Sequence, residues 1–280
     1  MHHLYLADDV GIELVELFSR NPQLKDRLPA CLLDRVPAQE LRLDFETGDE
    51  AGAIVLDVPV PRDLDGVVLV EALVSMARSN GRGWWERYRG ALAPGLLDIA
   101  ELESHAVRMR TAHTAHIPGL FQTSDHALEL FRAVLPPLPE HEVALRLAFR
   151  AERQQVLEGE NPPEYVGVVH EAALRMQFGG PKVARAQLEH LLTVSERPAV
   201  RLVVVPFAAG TFPGAGQTVN YLDGPVPQLD TAQVDNSHGP EFLGEQAQLA
   251  KYRAHLDWME RIALSPEDSR DFIQGIANSL

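Results

Sequence analysis

Cysteine is nearly absent from this 280-residue chain. Cys31 stands alone, so no internal disulfide can form, and a reducing cytoplasm is the expected setting. No run of about 18 apolar residues occurs, which excludes a membrane-spanning helix and gives no reason to expect a membrane partner. Met1-His2-His3-Leu4 has no basic region leading into an apolar one, so secretion is not expected. Lysine is scarce too, with 3 against 22 arginines, a bias that a GC-rich coding genome produces by itself. The signatures of several enzyme classes are missing: there is no Gly-x-Ser-x-Gly nucleophile elbow, no Rossmann fingerprint and no paired Cys-x-x-Cys. His170-Glu171-Ala172-Ala173-Leu174 fails as a zinc-protease motif, because residue 174 is leucine where the second histidine is needed. No enzyme class and no cofactor is therefore indicated by motif.

Positive charge is in deficit. The net charge of −15 repels a phosphate backbone, and nonspecific nucleic-acid affinity depends largely on phosphate neutralisation. Residues 1–70 hold 6 basic and 14 acidic side chains, a net −8, so this segment is poorly suited to binding DNA and no tight DNA binding by the chain alone is expected.

What is present is a globular composition, 45% hydrophobic, long enough for one large domain or a small one followed by a larger one. Gly11 to Phe18 has the spacing of a short helix, and Leu28 to Val36 is a second candidate interrupted by Pro29. Leu41, Leu43 and Phe45 then alternate with charged residues, Thr47-Gly48-Asp49-Glu50 supplies turn chemistry, and Ala53 to Val58 reads as a returning strand. This predicts a β-hairpin rather than a third helix. Pro59 and Pro61 mark a boundary before a helix over about 65–80.

Helices are predicted at Thr123 onward with Thr123 as N-cap, from Glu140 to Leu157, and from Pro181 to about Ser195. Strands are predicted at Tyr165–Val169, Val200–Phe207, Gln217–Leu222 and Leu229–Asp235. Two helices close the chain. The first carries a stripe of Leu249, Tyr252, Leu256, Met259 and Ala263, which packs either on the protein's own core or on a second copy as a homodimer. The second starts at Ser265-Pro266-Glu267-Asp268, an N-cap followed by a first-turn proline and early acids. The fold class is α+β. A small N-terminal α/β segment with a hairpin, residues 1–65, precedes a larger mixed domain, residues 66–280, of helices around a roughly four-stranded sheet.

Six short strings occur in a fixed order: Gly83-Trp84-Trp85-Glu86-Arg87-Tyr88, Ile117-Pro118-Gly119-Leu120-Phe121-Gln122-Thr123, Arg150-Ala151-Glu152-Arg153-Gln154, His170-Glu171-Ala172-Ala173-Leu174, Phe178-Gly179-Gly180-Pro181 and Gln187-Leu188-Glu189-His190-Leu191-Leu192. In this order they resemble the C-terminal domain of the antitoxin-like, XRE-type transcriptional regulators of actinobacteria, over roughly residues 66–275. In that family a helix-turn-helix precedes a domain of poorly defined biochemistry. The resemblance implies an effector domain that mediates dimerisation and contacts a small molecule or a small cognate protein. Here the acidic, hairpin-like N-terminal segment leads to the expectation that the helix-turn-helix is lost or replaced. The expected function is a divergent regulator-like protein with lost or altered DNA binding. The competing class is an enzyme of small-molecule (secondary) metabolism derived from the same domain.

Each candidate site residue has a structural alternative beside its functional one. Trp84 and Trp85, with Tyr88, form either an aromatic wall for a ligand or a staple holding a helix end on the core. Gln122 either donates to a ligand or belongs to a capped turn. Arg146, Arg150 and Arg153 share one helix face at spacings of four and three, set to clamp an anion or to pair with nearby glutamates. Glu171 follows a strand end, where polar ligand-contacting groups often sit. Eleven histidines are many, and His113 and His116 at i and i+3 are weak metal candidates if they share a helix face. Together these predict a pocket between the Trp84–Tyr88 segment, the Gly119–His126 turn and the Tyr165–Glu171 strand end. Arg150 and Arg153 would anchor an anion there, with Gln122 as a neutral hydrogen-bonding group and Glu171 as the polar end. If the site is catalytic, His170 or His113 moves the proton.

Overall fold

The computed structural model describes residues 83–280 except 214, 215, 217, 237 and 238, together with residues 72 and 76 and the strands at 42–44 and 55–57. In the N-terminal part, β1 (Arg42–Asp44) pairs antiparallel with β2 (Val55–Asp57), Leu43 opposite Leu56. The remainder of the predicted hairpin, the two predicted helices before it and the boundary near residue 65 lie outside the described residues.

Six strands make the central sheet: β3 (Arg108–His113), β4 (Glu164–His170), β5 (Val200–Val205), β6 (Val219–Asp223), β7 (Thr231–Asn236) and β8 (Gly239–Leu243), in the order β5-β4-β3-β6-β7-β8. The first three run parallel and the last three antiparallel to their neighbours. The helical connections supply the parallel crossovers. Two strands lie beyond the four predicted. Arg-Met-Arg-Thr-Ala-His at β3 has four polar residues of six, on both faces, and Gly-Pro-Glu-Phe-Leu at β8 opens with turn-forming residues, so neither reads as a buried strand.

Helices cover both faces. On one side lie α1 (Pro94–His105), α2 (Ser124–Arg132), α3 (Glu140–Arg153), α5 (Pro181–Val194) and α7 (Pro266–Ser279), and on the other lies α6 (Gln246–Ile262). A short α4 (Glu171–Arg175) follows β4 directly. Start signals in the sequence are used as expected. Thr123 accepts a hydrogen bond from the His126 N–H and Ser265 one from the Asp268 N–H, each satisfying an orphan donor of the first turn.

The α6 stripe has one destination. Leu249, Leu256 and Met259 are buried against Ala112, Val168, Val203, Val205, Val219, Ala232 and Val234 of the sheet. The buried part of the stripe therefore covers the protein's own core, with Tyr252 and Ala263 partly buried against it. Arg110 of β3 locks this layer by donating to Glu260 (2.9 and 2.6 Å) and Asp257 (2.6 Å), while Arg201 of β5 pairs with Glu260 at 2.6 Å. Edge strand β5 is sealed near its end: the Val204 N–H donates to Ser269 Oγ at 3.0 Å, and the Val204 carbonyl accepts from the Leu264 N–H at 2.9 Å.

Candidate functional site

On the face opposite α6, the sheet is not filled. A cavity of about 540 Å³ lies between β3, β6 and β7 below and α1, α2 and α3 above. Its floor is built by strand alternation: Met109, Thr111 and His113 of β3, Asn220 and Leu222 of β6, and Gln233 and Asp235 of β7. Its roof carries Arg146, Arg150 and Arg153 of α3, brought to one face by their helical spacing, with Leu130, Phe131 and Val134 from α2 and the residues just after it. The volume and mixed lining fall in the range of small-molecule pockets.

The three arginines are in different states. Arg146 pairs with Glu142 one turn earlier at 2.7 Å. Arg153 makes a two-pronged bond to Glu103 of α1, 2.9 Å from Nε and 2.5 Å from the terminal nitrogen, and both residues are buried. Its charge is already matched. Arg150 has no carboxylate within ion-pairing distance among the described residues. One terminal nitrogen donates to Gln122 Oε1, and the guanidinium carbon sits 5.0 Å from the centre of the Phe131 ring. Burial pushes its pKa down to about 9, with the neighbouring Arg153 cation adding to the effect, so it remains a cation at neutral pH.

A rigid turn presents this cation. The 3₁₀ turn Gly119–Phe121 is held by glutamines from two helices. Gln154 donates to the Gln122 carbonyl at 2.6 Å and Gln187 to the Phe121 carbonyl at 2.7 Å. Gln187 also accepts from the Thr123 N–H at 2.8 Å. Gly119 lets the turn approach closely: a Cβ there would lie 3.1 Å from a terminal nitrogen of Arg150, tighter than most packing contacts, so the arginine would have to shift slightly. Gln122 donates to the Ile117 carbonyl at 2.7 Å and accepts from Arg150. It positions the arginine, which differs from the ligand donor expected from sequence.

His113 lines the floor at the end of β3, with its Nε2 3.2 Å from Asn220 Oδ1 and its Nδ1 buried without a partner. Burial pushes its pKa down to about 4 against the opposing hydrogen bond from Asn220. His116 lies in the turn beyond the strand, its ring 5.3 Å from that of Phe178. The two histidines do not share a helix face. Among the described residues no group of three or more His, Cys, Asp or Glu side chains is placed to hold a metal. His126 is buried edge-on to Phe178, and burial pushes it down to about 4 as well.

The other expected site residues lie elsewhere. Trp84 and Trp85, in the 3₁₀ helix Trp84–Tyr88, stack with Tyr88 and Phe149, with centroids 5.1 Å apart for Trp84–Phe149 and for Tyr88–Phe149. They pack on Phe149 of α3 and Leu97 and Ala100 of α1, and neither tryptophan lines the cavity. Glu171 begins α4 and is occupied by the Phe207 N–H at 2.8 Å and Arg175 at 2.6 Å. These bonds hold its pKa low although burial alone would raise it. His170 caps the same helix by accepting from the Ala172 N–H at 3.2 Å and packs edge-on against Phe207 and Phe212. Among the described residues, Trp84 and Glu171 therefore do not share the cavity that Gln122 lines. Gln122, Arg150, Arg153, His113 and His116 line one cavity; Trp84, Trp85, His170 and Glu171 do not.

Sequence reasoning missed Glu103, Asn220, Gln233 and Asp235. A signal existed for the last two: Thr231-Ala232-Gln233-Val234-Asp235 puts polar residues on every second position of a strand whose other face is apolar, and the sheet buries Gln233 on both sides.

These features define an α+β domain with helices on both faces of a mixed sheet and a cation-bearing cavity under one helical layer. The chain belongs to the family described as Domain of unknown function (DUF5753), whose profile matches residues 96–275 and so spans the sheet, the cavity and both terminal helices. No curated protein and no solved structure matches it.

Proposed function

We propose that this domain is a receptor for a small anion-bearing molecule, acting as the sensing part of a divergent regulator-like protein in which residues 66–280 bind the ligand. The observation that carries this reading is Arg150, a guanidinium on a cavity wall, fixed by Gln122 and Phe131 and without a carboxylate partner among the described residues. A desolvated cation gains most from an incoming carboxylate or phosphate, because little competing water must be displaced from it. The cavity histidines support recognition over catalysis: His113, held neutral at physiological pH, is available as a hydrogen-bonding group and is a weak proton carrier there. The acidic balance of residues 1–70 supports lost or altered DNA binding.

Benzoate is the probe of choice, since it joins a carboxylate for Arg150 to a flat apolar body for Leu130, Phe131 and Val134. Titrated into the full chain and followed by NMR, it binds, and Arg150→Met weakens it by roughly 10- to 100-fold, the worth of a charge-assisted hydrogen bond. Arg150→Lys restores part of the affinity, because it returns the charge without the fork. Equal binding by Arg150→Met and wild type, or no binding by wild type, would overturn the reading.

A further inference from the structure

We propose that the cavity is built for a zwitterion: a small acid that also carries an amino group, its carboxylate on Arg150 of the roof and its ammonium on Asp235 of the floor. This ligand class rests on the anion-receptor reading above.

The charges that line the cavity lead to it. Five side chains there are charged at neutral pH: Glu103, Arg146, Arg150, Arg153 and Asp235. Arg153 is matched by Glu103 and Arg146 by Glu142. What is left is one cation and one anion, Arg150 and Asp235, with neither in an ion pair among the described residues. Arg150 spends one terminal nitrogen on Gln122, and its remaining donors are unspent. Asp235 receives only a neutral amide, from Gln233 Nε2 to Oδ1 at 2.5 Å. The two charges stay apart with the cavity between them, yet each is within the other's field, since Asp235 favours the cationic form of Arg150.

Both groups can be reached. Strand alternation puts Val234 into the core beneath α6 and Gln233 and Asp235 on the cavity face. Asp235 is exposed there and Arg150 only partly buried. The unpaired polar atoms that are fully buried include none from either residue. Asp235 is also held in place, because Gln233 is itself buried and takes a hydrogen bond from Asn220, its direct cross-strand partner.

This arrangement discriminates in two ways. A plain acid gains Arg150 but carries its negative charge into the field of Asp235, which opposes it. A ligand with an ammonium at its other end turns that repulsion into attraction, so the same carboxylate rejects one class and holds the other. Leu130, Phe131 and Val134 supply apolar surface for the carbon body between the charges. Because Asp235 is exposed, solvent screens its share, and the preference is modest in size.

The test compares ligands of one shape and different charge. The 2-, 3- and 4-(aminomethyl)benzoates, which together vary the spacing of the two charges, are titrated into the full chain by NMR at neutral pH and low salt. Benzoate and the matching ethylbenzoates, similar in shape but without the ammonium, are titrated beside them. At least one aminomethyl acid binds more tightly than benzoate. Its affinity relative to the ethyl compound falls roughly two- to fivefold in Asp235→Asn, the worth of an ion pair with one exposed partner. That variant keeps an acceptor for Gln233 and changes only the charge, and Asp235→Glu retains the preference. If benzoate binds through Arg150 and no aminomethyl acid exceeds it, the zwitterion is refuted and the anion receptor stands. A ratio of aminomethyl to ethyl affinity that is equal in wild type and Asp235→Asn refutes the role of Asp235. Failure of benzoate to bind overturns the receptor reading and this one with it.

Discussion

The two faces of the central sheet are made by the same strands and have opposite characters. Along β3, Ala112 faces α6 while Thr111 and His113 face the cavity; along β7, Ala232 and Val234 face α6 while Gln233 and Asp235 face the cavity. The α6 face is closed by Leu249, Leu256 and Met259, leaving an apolar layer packed like any protein interior. The other face keeps about 540 Å³ open and spends its polar side chains on one another. A period-two pattern can thus divide one sheet between stability and recognition, and a substitution's effect depends on which parity it falls on.

The buried ion pair on the cavity side is the point where that division is most easily broken. Arg153→Met strands the Glu103 carboxylate in a buried place and is expected to cost roughly 3–5 kcal/mol, read by urea unfolding. Replacing Glu103 with leucine in the same chain should recover most of the loss, since the penalty belongs to the unpaired charge. If the single variant is as stable as wild type, the cavity face carries no structural weight at this pair.

On the α6 face, Leu256→Ala removes a fully buried side chain and is expected to cost about 3 kcal/mol, while benzoate affinity, extrapolated to the folded protein, stays the same. A loss of affinity there would show that the two faces are coupled.

The smallest effect is a pH effect. His113 has a folded pKa of about 4, below the ordinary 6.5, because burial disfavours the charged ring. The unfolded chain therefore binds more protons between these values, so stability is full above about pH 6.5 and falls as the pH drops toward 4. For His113 alone the loss between pH 7 and pH 5 is about 2 kcal/mol. Urea unfolding at the two pH values, wild type against His113→Gln, isolates it: the variant should show the shallower decline, and parallel declines would refute the burial effect.

Much of the scaffold was legible because its signals are local. Thr123 and Ser265 cap helices, Pro181 and Pro266 open them, and the apolar run at Val200–Val205 is a strand with no polar competitor. The site was legible only in part. Arg150 and Arg153 announce themselves by helical spacing, yet nothing in the sequence distinguishes the arginine that meets Glu103, fifty positions away, from the one left unpaired. Asn220, Gln233 and Asp235 are ordinary polar residues until pairing of β3, β6 and β7 sets them side by side. Trp84, Trp85 and Glu171 misled for the converse reason: rarity and position beside a strand are shared by ligand-binding groups and by residues that hold the frame.

The sealing of β5 has a further consequence for assembly. Endless growth by strand addition needs two open margins on every copy, one to receive and one to offer. Here the β5 margin is committed within the chain, at Val204 to Ser269 and Leu264 and at Val200 to the Arg197 carbonyl. At the opposite margin, on β8, Pro240 supplies no N–H. Strand addition at the β5 margin is blocked at Val200 and Val204, so the fold guards that edge against endless growth.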